Sequence, residues 1–403
     1  MMQDAIDAAG ILAAIFPCAL SLYLIVTACL QVLWREAAEP RAPGRDFTVT
    51  VLVPAHNEER TLAGCLAALT ASTHPTLTIC VVSDGSTDGT AEIARGFDVR
   101  LLELSGNLGK SGALDAALAE VTSDLVLVVD ADTHLAPDAI RLLAAAFADP
   151  QLGAATANIR VRGERGLLAR LQAVEYASII GLLKRSNGLW GGLFTVSGAA
   201  ACYRVAALRG RGGFASQSVA EDIELSWRMQ RAGWRLRYVP AALASVEVPV
   251  RWRDLWQQRV RWSRGLIETL RAHGAGWTTG RAALAVFTVE CVLSAAWAVL
   301  LAGTLAVDLA GWLRAPGGAS FTPGFWHLVA FGFFLCQTLT ATLFDAHYAR
   351  LRWRSLIVAP LYPLYFLLVT LPTSLGGWLR GAMAPSGGRW QRTARADSSC
   401  VAL

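Results

Sequence analysis

Hydropathy divides the chain before any motif is read. Residues Ile11 to Trp34, ILAAIFPCALSLYLIVTACLQVLW, carry no charge. About 20 apolar residues suffice to cross a bilayer, so this run predicts a transmembrane helix. A cleaved signal peptide fits less well, because the leading residues include Asp4 and Asp7 rather than a basic stretch and the run is too long. Arg35, Arg41 and Arg45 follow it. Positive charge gathers on the inner side of spans, which places the N-terminus outside and the next segment in the cytoplasm. From Ala282 the pattern turns apolar again, with candidate spans at 284–307, 323–344 and 355–379. The link DAHYARLRWR between the last two is basic and belongs inside; the link from Asp308 to Pro323 has one arginine and belongs outside. A full third crossing would leave the basic tail after Arg380 outside, against the same tendency. Pro360, Pro363 and Pro372 interrupt that run, so a broken or re-entrant segment is the alternative.

Between these regions the periodicity changes. FTVTVLVPA is short and β-branched, which predicts a buried strand, and ERTLAGCLAALTAS follows with helical spacing. TICVVSDGSTDGTAEIARGF and DLVLVVDADTHLAPDAIRLLAAAF repeat the plan of strand, turn and helix. Strands alternating with helices predict an α/β, Rossmann-like domain: a parallel sheet with helices on both faces. Ligands of such sheets bind beyond the carboxyl ends of the strands, where PAHNEE, DGSTDG and DADT all fall. The expected organisation is a transmembrane helix at 11–34, the α/β domain at 46–250, amphipathic interfacial helices at 251–281, a membrane region of about three spans at 284–379, and a polar tail at 380–403.

Composition agrees with a membrane protein. The 403 residues are 54% hydrophobic and 17% charged, both displaced from soluble averages in that direction. A formal charge of +5, with the arginines beside apolar runs, argues against a nucleic-acid partner. The eight cysteines form no Cys-x-x-Cys pair and no zinc-spaced cluster, and read as free, buried thiols.

Several short motifs carry chemistry. DADT sets Asp130 and Asp132 two residues apart after an apolar strand. Their carboxylates form a hard oxygen site suited to Mg²⁺ or Mn²⁺, which could also hold a diphosphate; a capped turn is the bland alternative. SDGSTDG supplies Asp84 at a Gly-rich strand end, able to accept from a nucleobase N–H, though the same residues also make ordinary turns. NLGKSGALDAAL places Lys110 to meet a phosphate but lacks P-loop spacing, which argues against an NTPase. SVAEDIELSWRMQRAGW puts Glu221 and Asp222 at a helix start, where first-turn acids also favour the helix dipole. Ser197 and Gly198 in TVSGAAACYR form a tight turn that could approach a sugar, and QQRVRW contains Gln258, Arg261 and Trp262.

In order and spacing, VPAHNEE, SDGSTDGT, GKSGAL, DADT, SGA, AEDIELSWRMQRAGWRLRYVP and QQRVRW resemble the processive, membrane-embedded family 2 glycosyltransferases. These include bacterial poly-β-1,6-N-acetylglucosamine, chitooligosaccharide, hyaluronan and cellulose synthases. The resemblance spans about Val49 to Gly265 and the flanking apolar runs. It implies a GT-A fold, UDP-N-acetylglucosamine as donor, and Mg²⁺ or Mn²⁺ on Asp130 and Asp132. It implies uridine contacts from Glu58 and Asp84, nucleotide contacts from Lys110 and Arg261, and Asp222 as catalytic base. Ser197, Gly198, Glu221, Gln258 and Trp262 would line the acceptor. The chain departs from the pattern at Ser83, where the family commonly has Asp, and at Asp115, where Asn is common. It also has one N-terminal span where several relatives have two. The implied activity is inverting polymerisation of N-acetylglucosamine into a β-linked chain, carried across a bacterial-type inner membrane, with accessory subunits left open. Transfer of one sugar to a membrane lipid, another β-glycan, or an inactive sugar-binding scaffold are the competing readings. On a helical wheel, Trp252, Leu255, Trp256, Val260, Leu266, Ile267 and Leu270 fall on one side and Arg261 opposite. The stretch therefore reads as an interfacial helix, with an anchoring face and a face that closes the site.

Overall fold

The computed structural model describes residues 2–34, 47–163, 165–210, 212–214, 218–274, 282–314, 325–349 and 353–383. Arg35, Arg41, Arg45, and the tail from 384 onward lie outside them. The chain runs α1 (Met2–Trp34), β1 (Val49–Ala55), α2 (Leu62–Thr70), β2 (Leu77–Asp84), α3 (Thr90–Arg95), β3 (Arg100–Leu104), α4 (Gly109–Leu118), β4 (Leu125–Val129), β5 (Thr133–Leu135), α5 (Ala139–Ala145) and β6 (Leu152–Val161). It continues through α6 (Gly166–Glu175), α7 (Leu182–Leu189), β7 (Ala200–Arg204), α8 (Val205–Arg209), α9 (Glu221–Arg231), β8 (Arg235–Val246) and α10 (Trp252–His273). The apolar end comprises α11 (Ala282–Arg314), α12 (Phe325–Ala346), α13 (Trp353–Val358), α14 (Tyr362–Tyr365) and α15 (Leu371–Met383).

The strands form one sheet in the order β3-β2-β1-β4-β7-β6-β8-β5. Successive side chains point to opposite faces. Val51 and Val53 therefore pack with Leu62, Leu66 and Leu69 of α2 and Leu143 of α5, while Leu52, Val126 and Val128 meet Leu114 of α4 and Leu225 and Met229 of α9. Burial on both faces explains the near-continuous apolar runs in β1 and β4, interrupted in β1 only by Thr50. The expected parallel pairing holds for β3, β2, β1 and β4, and again between β6 and β8. β7 runs antiparallel to both β4 and β6, and β5 antiparallel to β8. The reason is the helical excursion between β6 and β7, which returns the chain to the sheet in the reverse sense.

Among the described residues, five segments are long and apolar enough to cross a membrane: 11–34, 166–189, 282–307, 329–346 and 353–383. The second cannot do so as a single crossing, because the strands it joins pair with each other, Ala154 opposite Tyr203. It packs instead between the sheet and the apolar helices. Thr27 of α1 and Ser186 of α7 share a hydroxyl hydrogen bond of 2.7 Å, and Trp190 Nε1 donates to Tyr23 Oη at 2.9 Å. Asp345 at the end of α12 reaches into the α/β domain, where Arg160 Nη1 lies 3.1 Å from Oδ2 and Asn158 Nδ2 donates to Oδ1 at 3.2 Å.

The last apolar run is broken. A 3₁₀ turn over Ala359–Leu361 and a π-helical turn over Phe366–Thr370 separate α13, α14 and α15. Pro360 and Pro363 sit at the first of these breaks, where a missing N–H cannot continue the helical ladder. α15 then lies against α10 with almost no space between backbones. A Cβ on Gly377 would stand 2.7 Å from Val260 O, and one on Gly381 3.0 Å from Arg264 O. Small residues permit this approach. It also changes the face expected of α10. Trp252 and Trp256 are exposed as the wheel suggests, but Leu255 and Val260 are buried in protein, because α15 and the residues around Tyr362 occupy that side.

Candidate active site

A cavity of about 400 Å³ opens at the carboxyl ends of the parallel strands, and every site residue singled out from the sequence lines it. Glu58 follows β1 and is buried, its Oε2 accepting from Thr61 Oγ1 at 2.8 Å. Asp84 ends β2 and accepts from Leu108 N at 2.7 Å. The loop that Asp84 holds leads directly into α4, and so fixes Lys110. Gly85 makes this possible: its φ is +63°, and a Cβ there would lie 2.8 Å from the Gly106 and Asn107 backbone.

Lys110 is the hub of the site. Its Nζ lies 2.8 Å from Asp130 Oδ1 and 3.0 Å from Glu221 Oε1, and donates to Gly198 O at 3.2 Å. Burial pulls its pKa down, but the carboxylates of Asp130 and Glu221 outweigh this and hold it above the usual lysine value. Asp222 is fixed by two backbone donors, Gly198 N to Oδ2 at 3.0 Å and Ile223 N to Oδ1 at 2.9 Å. Burial, and then the charge of Glu221, raise the Asp222 carboxyl above the ordinary aspartate value despite Lys110. For Glu221 burial acts upward, but the Lys110 charge wins and the carboxyl is held low. Two adjacent acids are thus driven apart, one fully ionised and one more basic, which is the division that acid–base chemistry exploits.

Asp130 and Asp132 both face the cavity. Asp132 is 2% exposed and receives a 3.4 Å hydrogen bond from Thr133 Oγ1, while Asp130 keeps about a third of its side chain open. Among the described residues no group of three His, Cys, Asp or Glu could hold a metal alone. Two carboxylates opening on a cavity do fit a hard divalent cation whose other ligands come from phosphate oxygens and water.

The far wall belongs to α10 and the apolar end. Gln258 is buried and accepts from Arg259 Nη1 at 2.6 Å, Arg261 and Trp262 line the cavity, and the Arg259 guanidinium lies 4.2 Å from the Trp262 ring centroid. Thr370, Thr373 and Ser374 of the broken C-terminal run complete it. Sequence reading missed Arg259, Glu175 and Lys184. Arg259 Nε and Nη2 donate to Glu175 Oε1 and Oε2 at 3.2 and 2.5 Å, and Tyr365 Oη donates to Oε2 at 3.1 Å. The available signal was ionisable residues inside an apolar stretch: Glu175, Lys184 and Arg185 interrupt AVEYASIIGLLKRSNGL.

Gly198 has no spare room. A Cβ there would lie 3.1 Å from Asp222 Oδ2 and 3.3 Å from Lys110 Nζ. Gly198→Ala is expected to slow transfer about tenfold or more by displacing both groups, and to weaken binding of the free nucleotide through the displaced Lys110. Initial rates of nucleotide release alongside binding of the free nucleotide check this.

A curled mixed sheet with carboxylates gathered at the ends of its parallel strands defines a GT-A glycosyltransferase. Residues 44–265 match the family model described as "Glycosyltransferase like family 2", and the chain belongs to that family. It is 33% identical over 298 residues to a poly-β-1,6-N-acetyl-D-glucosamine synthase of Staphylococcus aureus (strain COL), covering 71% of this chain and 72% of the relative. It is also 33% identical over 259 residues to the protein of that name from Staphylococcus epidermidis, covering 63% of each. Among solved structures, the mannosyltransferase PcManGT from Pyrobaculum calidifontis, in complex with GDP-Man and Mn²⁺, superposes with a TM-score of 0.68. At 21% identity, over 94% of this chain and 99% of that one, this likeness shows the fold.

Proposed function

We propose that the protein is a membrane-embedded, inverting glycosyltransferase that polymerises N-acetylglucosamine from UDP-N-acetylglucosamine into a β-linked polysaccharide and passes the growing chain across the membrane. The observation that carries this is the reach of one cavity. It begins at Asp84 and Asp130 and ends at Thr370, Thr373 and Ser374 of the C-terminal apolar segment, so an acceptor seated at Asp222 lies beside elements suited to the bilayer. Polysaccharide synthases among the relatives point to the same product.

The residues divide the work. Glu58 and Asp84 hold the uridine, and Lys110 and Arg261 bring positive charge to the diphosphate. Asp130 and Asp132 would hold Mg²⁺ or Mn²⁺, which when bound neutralises charge on the departing UDP. Asp222 takes the proton of the acceptor hydroxyl as that oxygen attacks the anomeric carbon. The bond to UDP breaks on the opposite face, so an α-linked donor yields a β-linked product. Ser197, Gly198, Glu221, Gln258 and Trp262 shape the acceptor side, with the Trp262 ring a flat surface for a sugar. The catalytic domain lies in the cytoplasm, where the nucleotide sugar is made.

Membranes holding the protein are to be given UDP-N-acetylglucosamine, UDP-glucose, UDP-glucuronate or GDP-mannose with Mg²⁺. UDP release and polymer are expected from the first alone, and to cease on chelation. Polymer formed only from UDP-glucose would overturn the substrate, and no nucleotide release from any donor would overturn the activity.

A further inference from the structure

Two lysines are buried on either side of the Gly198–Asp222 contact, and only one is neutralised. Lys110 has Asp130 and Glu221 within 3.0 Å. Lys184 on α7 is more deeply buried, at 5% exposure, yet among the described residues no carboxylate comes within ion-pair distance of it. Its Nζ donates one hydrogen bond, to Ser197 Oγ at 2.5 Å, and lies 5.8 Å from the centroid of the Tyr238 ring. An ammonium group carries three donors. One accepting hydroxyl and a distant ring leave most of that capacity unspent, in a place where an unpaired charge is costly.

Lys184 lines the same cavity as Asp222. Burial drags its pKa down to about 7, and the one charge that works against this is Asp222. Asp130, which grips Lys110, has no such hold on Lys184. The two lysines therefore serve different ends of the cavity. Lys110 stands between Asp130 and the acid pair, whereas Lys184 stands beside Asp222 on the side of Ser197. A partly neutral amine there suits an uncharged oxygen better than a phosphate.

We propose that Lys184, with Ser197, forms an additional subsite that hydrogen-bonds a hydroxyl or amide carbonyl oxygen of the acceptor sugar held against Asp222. This rests on the reading that the acceptor is built of N-acetylglucosamine. The ligand supplies the oxygen atoms that the protein withholds from Lys184, and the lysine fixes the orientation in which the acceptor hydroxyl meets the base. Such positioning affects acceptor binding and turnover while leaving the nucleotide end untouched.

The test uses the full chain in lipid nanodiscs with saturating UDP-N-acetylglucosamine and Mg²⁺, and free N-acetylglucosamine titrated as acceptor while UDP release is followed. For Lys184→Met, the acceptor KM is expected to rise about 20-fold or more, while the Kd for UDP, measured separately, moves less than about twofold. Lys184→Arg, which keeps charge and donors, is expected to recover part of the acceptor affinity. An acceptor KM in Lys184→Met equal to that of the unaltered protein would overturn the proposal. Parallel loss of UDP binding would also overturn it, because the lysine would then be acting through folding. If the unaltered protein releases no UDP from this donor, the substrate reading falls, and the subsite falls with it.

Discussion

Replacing Asp222 with asparagine is expected to lower turnover by about 10²–10⁴-fold, the usual contribution of a positioned acid or base. The substitution is nearly isosteric. The side-chain carbonyl of asparagine can still accept from Gly198 N, so the turn at Ser197–Gly198 keeps its anchor. What is lost is the proposed proton acceptor. UDP affinity should stay within about twofold, because the proposed uridine contact Asp84 ends β2 whereas Asp222 lies at the start of α9. The pH dependence follows from the same group. As the proposed base Asp222 would work in its ionised form, and burial, then the charge of Glu221, raise its pKa. Activity is therefore present above that raised value and is lost as pH falls through it, so the acidic limb of kcat/KM lies above the ordinary aspartate range. A Glu221→Gln variant removes the neighbouring negative charge, and the limb should shift to lower pH. A limb that stays in place in that variant would show that the acid pair is not electrostatically linked.

The second large effect concerns Arg259 and Glu175. Both are buried, and they form a two-pronged ion pair that Tyr365 completes. The three groups come from α10, α6 and α14, so one network joins the catalytic domain to the apolar end beside the cavity. Arg259→Met leaves the Glu175 carboxylate buried without its partner, which costs about 3–5 kcal/mol. A clear fall in the thermal midpoint of the purified protein is expected, together with loss of transfer. The double variant Arg259→Met with Glu175→Gln removes the stranded charge. It should regain much of the stability and little of the activity, since the Trp262 ring loses the guanidinium 4.2 Å away. Equal thermal midpoints for the single variant and the unaltered protein would contradict a structural role for the pair.

The parts of the molecule that were legible in sequence are those ruled by local pattern. β1, β2 and β4 are short apolar runs that lead into the turn residues Asn57, Asp84 with Gly85, and Asp130 respectively, and their ends do converge on one cavity. Asp84, Lys110, Asp130 and Asp222 could be named because each sits at a turn or helix start whose geometry is set within a few residues. The reversal of β7 was not legible. It depends on how the segment 166–189 returns to the sheet, and its composition imitates a membrane span. Lys184, Glu175 and Arg259 were missed for a related reason. Each derives its meaning from partners in other elements: Lys184 from Ser197, and Arg259 from a residue 84 positions away. The helical wheel of α10 placed Trp252 and Trp256 outward correctly, yet could not foresee that α15 would cover Val260, because the wheel describes one helix and the contact belongs to two. The glycines at 377 and 381 make that contact, and only their spacing of four hinted at it.

The central claim is best tested by the product itself. Purified protein in nanodiscs, given isotope-labelled UDP-N-acetylglucosamine and Mg²⁺, is to be analysed by mass spectrometry and NMR of the carbohydrate formed. A ladder of N-acetylhexosamine units with β-anomeric linkages, absent for Asp222→Asn, is the predicted result. A single sugar on one lipid species, or an α-linked product, would contradict it.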